Sequence, residues 1–585
     1  MLKLKSFFPI LLLAIIAVFF FWKVLFGGYI IVTPAAGLGD ITLGILPYWQ
    51  FLGNAYQDLK IPLWTDFFNG GISLISFPAT HLFFPITLVA LYFFNIPFAL
   101  TFAMVFYVFL LGFFTYLFCR SIGLSTNAAL FCGAVFSYSA PITAKIHSQS
   151  VIVIALFVAA LFFTEKLLQT KKQRYIFLLA TIFALQIHAS HPHITLYSLF
   201  ITILYFLFRL LFLKENAKQK VSFMTGFVIA GVTALGMSAI ILIPNLEFYA
   251  LSTRAKGITA TLGDYPYSLI ELILFVVPFA FGNPATASYN PPFAQQRLFW
   301  ENASYIGLIP LALSVLGFFA AKKNKYALIF GILFVLSIAL SLGGKTPLGI
   351  LLTLPPFSSF RVPSRFLIFA SFSLTVLAAI ALDMLIKKVK SKKTILTMLI
   401  VAISVFDLYR FCYTYNVLDK ASGWLKPPET ARFLKQDQGF FRIYSIEITD
   451  FNTNPYNQIF AQAGGWLTDI AAHRFLFNWL PANTNMLFNI KSANGYASIS
   501  LSRFGEIEDE ILKGISTDNS RVKISNESLK LLSLFGTKYF ISPFPAESPL
   551  ILRFSTENRY NLQFRVYENP GFIPNALLAT DIKVM

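Results

Sequence analysis

The stretch HLFFPITLVALYFFNIP, residues 81–97, decides how this chain is threaded. It is apolar almost throughout, yet it is 17 residues long and carries Pro85 and Pro97. About 20 apolar residues are needed to cross a bilayer as a helix. A proline-broken run of this length is expected to lie on or dip into one leaflet, covered by protein. If it crossed, every later loop would change sides.

The surrounding sequence shows why sides matter. The chain has 585 residues, 56% of them hydrophobic and 12% charged. Soluble proteins have about 25% charged residues. Apolar runs of spanning length are expected near 7–26, 98–119, 128–146, 150–168, 175–190, 192–213, 221–243, 303–321, 326–342, 365–386 and 394–412. The net charge of +19 is not spread evenly. Residues 413–585 hold 17 Lys/Arg and 16 Asp/Glu, whereas residues 1–412 hold 29 and 11. The excess falls in short loops, among them Lys3 and Lys5, Arg120, Lys171 to Arg174, Lys214 to Lys220, Lys322 to Lys325 and Lys387 to Lys393. This is the positive-inside pattern of a plasma-membrane protein and not the footprint of a nucleic-acid binder. With 81–97 left uncrossed, the basic loops share the cytoplasmic side, the N-terminus is cytoplasmic, and the C-terminus lies outside. Met1 to Phe26 has no small-residue cleavage site and reads as an uncleaved anchor. Cys119, Cys132 and Cys412 lie in or beside spans and form no CxxC, which argues against a disulfide framework or a zinc site.

Two parts follow: residues 1–412, a membrane domain whose outer loop 27–97 carries interfacial helices, and residues 413–585, an extracytoplasmic domain. In the second, FFRIYSI (440–446), TKYFIS (537–542) and FRVYEN (564–569) read as strands and PPETARFLKQ as a helix, giving a mixed α/β unit. No internal repeat is evident.

The chemically unusual residues all fall on the outer side. In GLGDITLGILPYWQ (37–50), Asp40 sits between glycines in a region short of acids. Only Asp58 and Asp66 accompany it in the first 164 residues. Trp49 and Trp64 read as interface anchors or as platforms for a sugar, with Tyr48 beside them. His147, His191 and His193 stand at outer ends of spans, where loop hydrogen bonds are the ordinary role for a histidine. Asp40 and His147 are the candidates to hold a divalent ion such as Mg or Mn. Glu301 opens ENASYIGLIPL, and Glu247 precedes Arg254 by about two helical turns in PNLEFYALSTR. Arg361 and Arg365, in PPFSSFRVPSRF, suit a phosphate through bidentate charge-assisted bonds, or lipid headgroups. There is no P-loop, GxSxG, HExxH or GxGxxG. A cytosolic nucleotide donor is therefore not expected, and a lipid-linked phosphate is.

GD with P-Y-W-Q (39–50), IPLW (61–64), SHPHITLY (190–197), ILIPNLEFYALSTR (241–254), ENASYIGLIPL (301–311) and GGKTPLGILLTLPPFSSFRVPSRF (343–366) recur in one order. NGYASISLSRFGEI (494–507), LLSLFGTKYFIS (531–542) and RVYENPGFIPNALL (565–578) follow. By these passages the chain resembles the YfhO-type bacterial membrane protein family, within the GT-C class of polyprenol-dependent glycosyltransferases. The resemblance implies a GT-C-like polytopic α-helical membrane protein of about 11 transmembrane helices with an outer α/β domain. It implies a hexosyl transfer, usually inverting, from a polyprenyl-phosphate-linked sugar to an extracytoplasmic glycopolymer such as teichoic acid. Asp40 stands where such enzymes carry their catalytic acid, and His147 stands where many carry a second acid before the fourth span. The roles implied are Asp40 as general base, Arg361, Arg365 and Arg254 on the donor phosphate, and Glu301, His191, His193, His147, Trp49 and Trp64 around the substrates. Two rival readings are a flippase or transporter of a lipid-linked glycan, which needs polar groups at mid-membrane depth, and a non-catalytic envelope assembly factor.

Overall fold

The computed structural model describes residues 2–32, 41–77, 81–146, 150–255, 265–291, 298–389, 391–448, 454–497, 499–517 and 521–574. Residues 81–97 do not form a span. Pro85 starts a helix, Pro85–Phe93, that ends at Phe94. At 1.5 Å per residue it is about 13 Å long, under half of the roughly 30 Å hydrocarbon core. The Asn95 side chain then accepts from Phe98 N at 3.1 Å and caps the long helix Ile96–Ser121. The apolar run is thus one short helix plus the capped start of the next.

Among the described residues, six helices are long and apolar enough to cross a membrane: Ile96–Ser121, Ser150–Thr170, Pro192–Leu211, Ala217–Met237, Pro363–Lys388 and Lys393–Tyr415. Shorter apolar helices are Phe7–Phe20, Arg174–His188, Ala239–Ala250, Leu308–Lys322 and Lys325–Ser341. Two expected segments differ in form. The run expected at 221–243 divides into Ala217–Met237 and Ala239–Ala250. The run expected at 128–146 is helical over Thr126–Tyr138, turns extended at Ser139, and resumes as Ala140–Thr143. Pro141 explains this break, because it has no N–H to continue the ladder. Backbones pack closely where side chains vanish: a Cβ on Gly133 would lie 2.7 Å from Gly112 O, and one on Gly317 would lie 2.2 Å from Leu377 O. Leu367–Lys388 is the central helix, buried over almost its whole length.

Near one end of the bundle, a charge pair is buried. Glu165 accepts from Arg209 Nε and Nη2, both at 2.8 Å, from Tyr205 Oη at 2.8 Å and from Tyr326 Oη at 2.7 Å. The pair lies near helix ends: Arg209 is in the last turn of Pro192–Leu211 and Tyr326 in the first of Lys325–Ser341.

Beyond Tyr415 the chain changes character. Strands order as Ile551–Glu557, Gln563–Glu568, Thr537–Ser542, Arg442–Ser445 and Lys491–Ser492, with the first three antiparallel and the last two joined in parallel. This region is tied to the segment that follows the first helix. Tyr29–Val32 pairs antiparallel with Val417–Lys420. Phe67 O accepts from Asn485 Nδ2 at 2.9 Å and from Ser492 N at 2.8 Å, and Lys491 pairs with Asp66 at 2.6 Å.

Removing one partner of a buried ion pair strands the other charge, at a cost of roughly 3–5 kcal/mol. Glu165→Leu should therefore lower the melting temperature of the detergent-solubilised protein markedly. The double variant Glu165→Leu with Arg209→Met should recover most of the loss, and thermal unfolding of the purified proteins checks both.

Candidate functional site

Glu301 lies on the single helical turn Phe299–Asn302, and its neighbour holds that turn in place. Asn302 Nδ2 donates to Glu271 Oε1 at 2.8 Å, while Glu271 Oε2 accepts from Ser268 N at 2.8 Å. Across from it, the broken helix after Tyr138 brings Lys145 inward. Ala140 N donates to Tyr305 O at 2.8 Å, which fixes the turn against residues 300–305. Arg365 comes from the 3-10 turn Pro363–Phe366 that opens the central helix.

These three meet. Arg365 Nε and Nη2 donate to Glu301 Oε1 at 3.0 and 2.8 Å. Lys145 Nζ lies 3.1 Å from Glu301 Oε2 and donates to Trp300 O at 2.5 Å. Glu301 is 2% exposed. Burial alone would raise its pKa, but the charges of Arg365 and Lys145 outweigh burial and lower it to about 2. Arg365 Nη1 is 2.6 Å from His193 Nδ1. A guanidinium only donates, so Nδ1 accepts and the neutral ring carries its proton on Nε2. That Nε2 is buried and has no protein partner among the described residues. The His193 ring stacks on Phe360 at 5.0 Å and meets the edge of Tyr197 at 4.6 Å.

Two further histidines stand beside this network. His191 is the residue before the helix Pro192–Leu211, and its Nδ1 is buried without a partner among the described residues. Burial, then the charge of Arg365, lowers its pKa to about 3. His81 is fully buried. Its Nε2 donates to Ala189 O at 2.6 Å, Thr87 Oγ1 lies 3.2 Å from Nδ1, and burial lowers its pKa to about 3.

The arginines expected to act together divide into two kinds. Arg365 is turned inward onto Glu301 and His193. Arg361 is exposed and Arg254 half-buried, and among the described residues neither has a carboxylate partner. Burial and then the charge of Arg361 lower the pKa of Arg254, and the fields of both arginines reach His193. Between Arg361 and Pro363, Val362 has φ 70°, a conformation costly for a β-branched residue. Such strain persists where the surroundings enforce it, often at ligand sites. Two cations, Lys145 and Arg365, thus hold the carboxylate, while Arg254 and Arg361 are felt at His193 beside it, an arrangement with positive charge left over for an anion.

Other expectations fare variously. Asp40 and His147, with the divalent ion proposed for them, lie outside the described residues. Among the described residues no group of three His, Cys, Asp or Glu is placed to hold a metal ion. Trp49 is 2% exposed, so it offers no face to a sugar and anchors no interface; it packs inward from the helix Leu46–Gln57. Trp64 is 59% exposed beside exposed Leu59, Ile61 and Leu63, and covers Gly71, as an interface residue would. Lys145 and His81 were missed. The signal for Lys145 was a lone lysine in the apolar run SYSAPITAKI, a place where charge needs a partner.

His81 and His191 are neutral when folded and have an ordinary pKa near 6.5 when unfolded. The unfolded chain therefore binds more protons below that value, and the stability these residues support is lost progressively from about pH 6.5 towards 3. Glu301, its pKa lowered when folded, adds loss only as the pH falls below about 4.5. The melting temperature should fall between pH 7 and pH 5, and His81→Gln should flatten that slope.

No family model matches the sequence, and no curated protein matches it. Among solved structures, the cryo-EM structure of arabinofuranosyltransferase AftD from Mycobacteria resembles the chain with a TM-score of 0.55 at 10% identity, over 96% of this chain and 41% of that one. The archaeal oligosaccharyltransferase AglB from Archaeoglobus fulgidus, in complex with an inhibitory peptide and a dolichol-phosphate, gives 0.41 at 10% identity, over 92% of this chain and 69% of that one. Only the first likeness is close enough to show a shared fold, and this chain spans less than half of that protein's length. With the six long apolar helices, that fold makes the chain a polytopic helical membrane protein.

Proposed function

We propose that the protein is a GT-C-type membrane glycosyltransferase that moves a sugar from a polyprenyl-phosphate carrier to an extracytoplasmic cell-envelope glycopolymer, with inversion. The observation that carries this reading is that Arg254 and Arg361, without a carboxylate partner among the described residues, stand beside the buried Glu301–Arg365–Lys145 network. The likeness in fold to an arabinofuranosyltransferase supports it. In this reading about eleven helices span the membrane, the N-terminus is cytoplasmic, and residues 413–585 form a domain outside.

The reaction is a direct displacement at the anomeric carbon. Asp40 takes the proton of the acceptor hydroxyl as that oxygen attacks. The bond from the anomeric carbon to the phosphate oxygen breaks, and the polyprenyl phosphate leaves with the electron pair. Arg254 and Arg361 meet the charge that develops on that phosphate, preorganised by the loops that carry them. Arg365 positions rather than binds: it orients His193, whose Nε2–H is available to a substrate oxygen. Lys145 and Arg365 keep Glu301 ionised as the anchor of the network. Asp40 and His147 are the residues to hold a divalent ion, which would add charge stabilisation at the phosphate.

Asp40→Asn should abolish sugar transfer, with a loss of about 10²–10⁴-fold, while the protein inserts normally. Sugar composition of envelope polymers in a deletion strain complemented with each variant checks this; an assembly factor would tolerate the change. Arg361→Gln and Arg254→Gln should each cut the transfer rate by about 10²-fold with little change in melting temperature. Glycosyl transfer from polyprenyl-phosphate-linked sugars by the purified protein is the measurement.

A further inference from the structure

The segment NGYASISLS, residues 494–502, belongs by sequence to the C-terminal part but docks on the arginine turn. Thr253 N donates to Ser500 O at 3.0 Å, and Ser502 N donates to Leu251 O at 2.9 Å. Ser252 and Leu501 form an antiparallel bridge between these bonds. Arg254 is the next residue in the chain.

Tyr496 is held from both sides of its peptide. Asn483 Nδ2 donates to Tyr496 O at 2.6 Å, and Asn483 Oδ1 accepts from Tyr496 N at 3.1 Å. Asn483 is itself buried, has φ 74°, and places Nδ2 3.5 Å from Tyr48 Oη. Tyr48 lies in the same stretch as Asp40. The tyrosine so held is 48% exposed and lies in the neighbourhood of Arg254 and Tyr48. It therefore stands near Arg254, on the segment that bonds to the backbone just before that arginine.

We propose that Tyr496 faces the substrate and receives the sugar ring carried by the lipid phosphate, so that the C-terminal part of the chain takes a direct part in recognising the donor. This rests on the glycosyltransferase reading. The chemistry fits the position. A phosphate on Arg254 and Arg361 puts its attached sugar one bond away, next to Arg254. A tyrosine offers a flat apolar face to the C–H face of the ring and a hydroxyl to its rim. Its backbone is already ordered, so little further entropy is lost on binding.

The test uses the full chain in lipid nanodiscs. Wild type and variants are titrated with undecaprenyl phosphate and with undecaprenyl phosphate bearing glucose, mannose, galactose, N-acetylglucosamine or arabinofuranose. Wild type should prefer at least one sugar-bearing lipid over the bare phosphate. Y496A should shrink that preference about fivefold to tenfold, while the bare phosphate binds within about twofold of wild type. Y496F should keep most of the preference. Should Y496A fail to fold, Y496L, which keeps apolar bulk without the flat ring, should show the same loss. An unchanged preference overturns the proposal. So does an equal loss for bare and sugar-bearing lipid, which would make Tyr496 only a clamp, or a wild type that binds bare phosphate with no preference. A wild type that binds no lipid phosphate overturns the glycosyltransferase reading, and this proposal falls with it.

Discussion

The candidate site depends on one buried carboxylate. Glu301 is 2% exposed, and an ion taken out of water costs several kcal/mol in a protein interior. That cost is offset only because two cations approach it from different parts of the chain, Lys145 at 3.1 Å and Arg365 through two bonds. The pair of contacts dictates much else. Lys145 reaches Glu301 because Pro141 interrupts the preceding helix. Arg365 reaches it because the central helix opens with a tight turn. With Arg365 committed inward, His193 becomes a hydrogen-bond acceptor at Nδ1 and presents Nε2–H instead. Arg254 and Arg361 are then the arginines left outside that network, without a carboxylate partner among the described residues.

The helices were legible because apolar runs of spanning length admit few other solutions. The strands at 537–542 and 563–568 were legible because they cluster apolar and aromatic residues between turns. Residues 81–97 were readable as a non-crossing segment from their short length together with Pro85 and Pro97. What escaped was long-range. Glu301, Arg365 and His193 each stood out at a span end, but nothing local says that they bond to one another. Lys145 was passed over because it lies in a run that looks like span interior, and the break that exposes it depends on Pro141 and on Tyr305 far along the chain. Trp49 was misplaced because an aromatic near a membrane boundary looks alike whether it packs inward or outward. Only burial separates the two.

The two halves of the molecule meet at the same place where the charges gather. Residues 500–502 bond to the backbone at 251–253, and Asn483 bridges Tyr496 and Tyr48. Loop 60–77 is held by Asn485, Lys491 and Ser492. The C-terminal part therefore supports the outer loops instead of hanging from the last helix, and the shape of the site depends on it.

That arrangement bears on how the molecule is made. The strand Tyr29–Val32 leaves the ribosome early, while its partner Val417–Lys420 follows the last apolar helix. At about 5–20 residues per second, the wait is on the order of tens of seconds. Through that interval the first outer loop has its hydrogen-bonding edge open, and the arginine turn lacks the segment that clamps it. These bonds form only after translation of the helical part is complete, so a nascent or truncated chain carries every helix of the bundle and still lacks the contacts that hold the loop and the arginine turn.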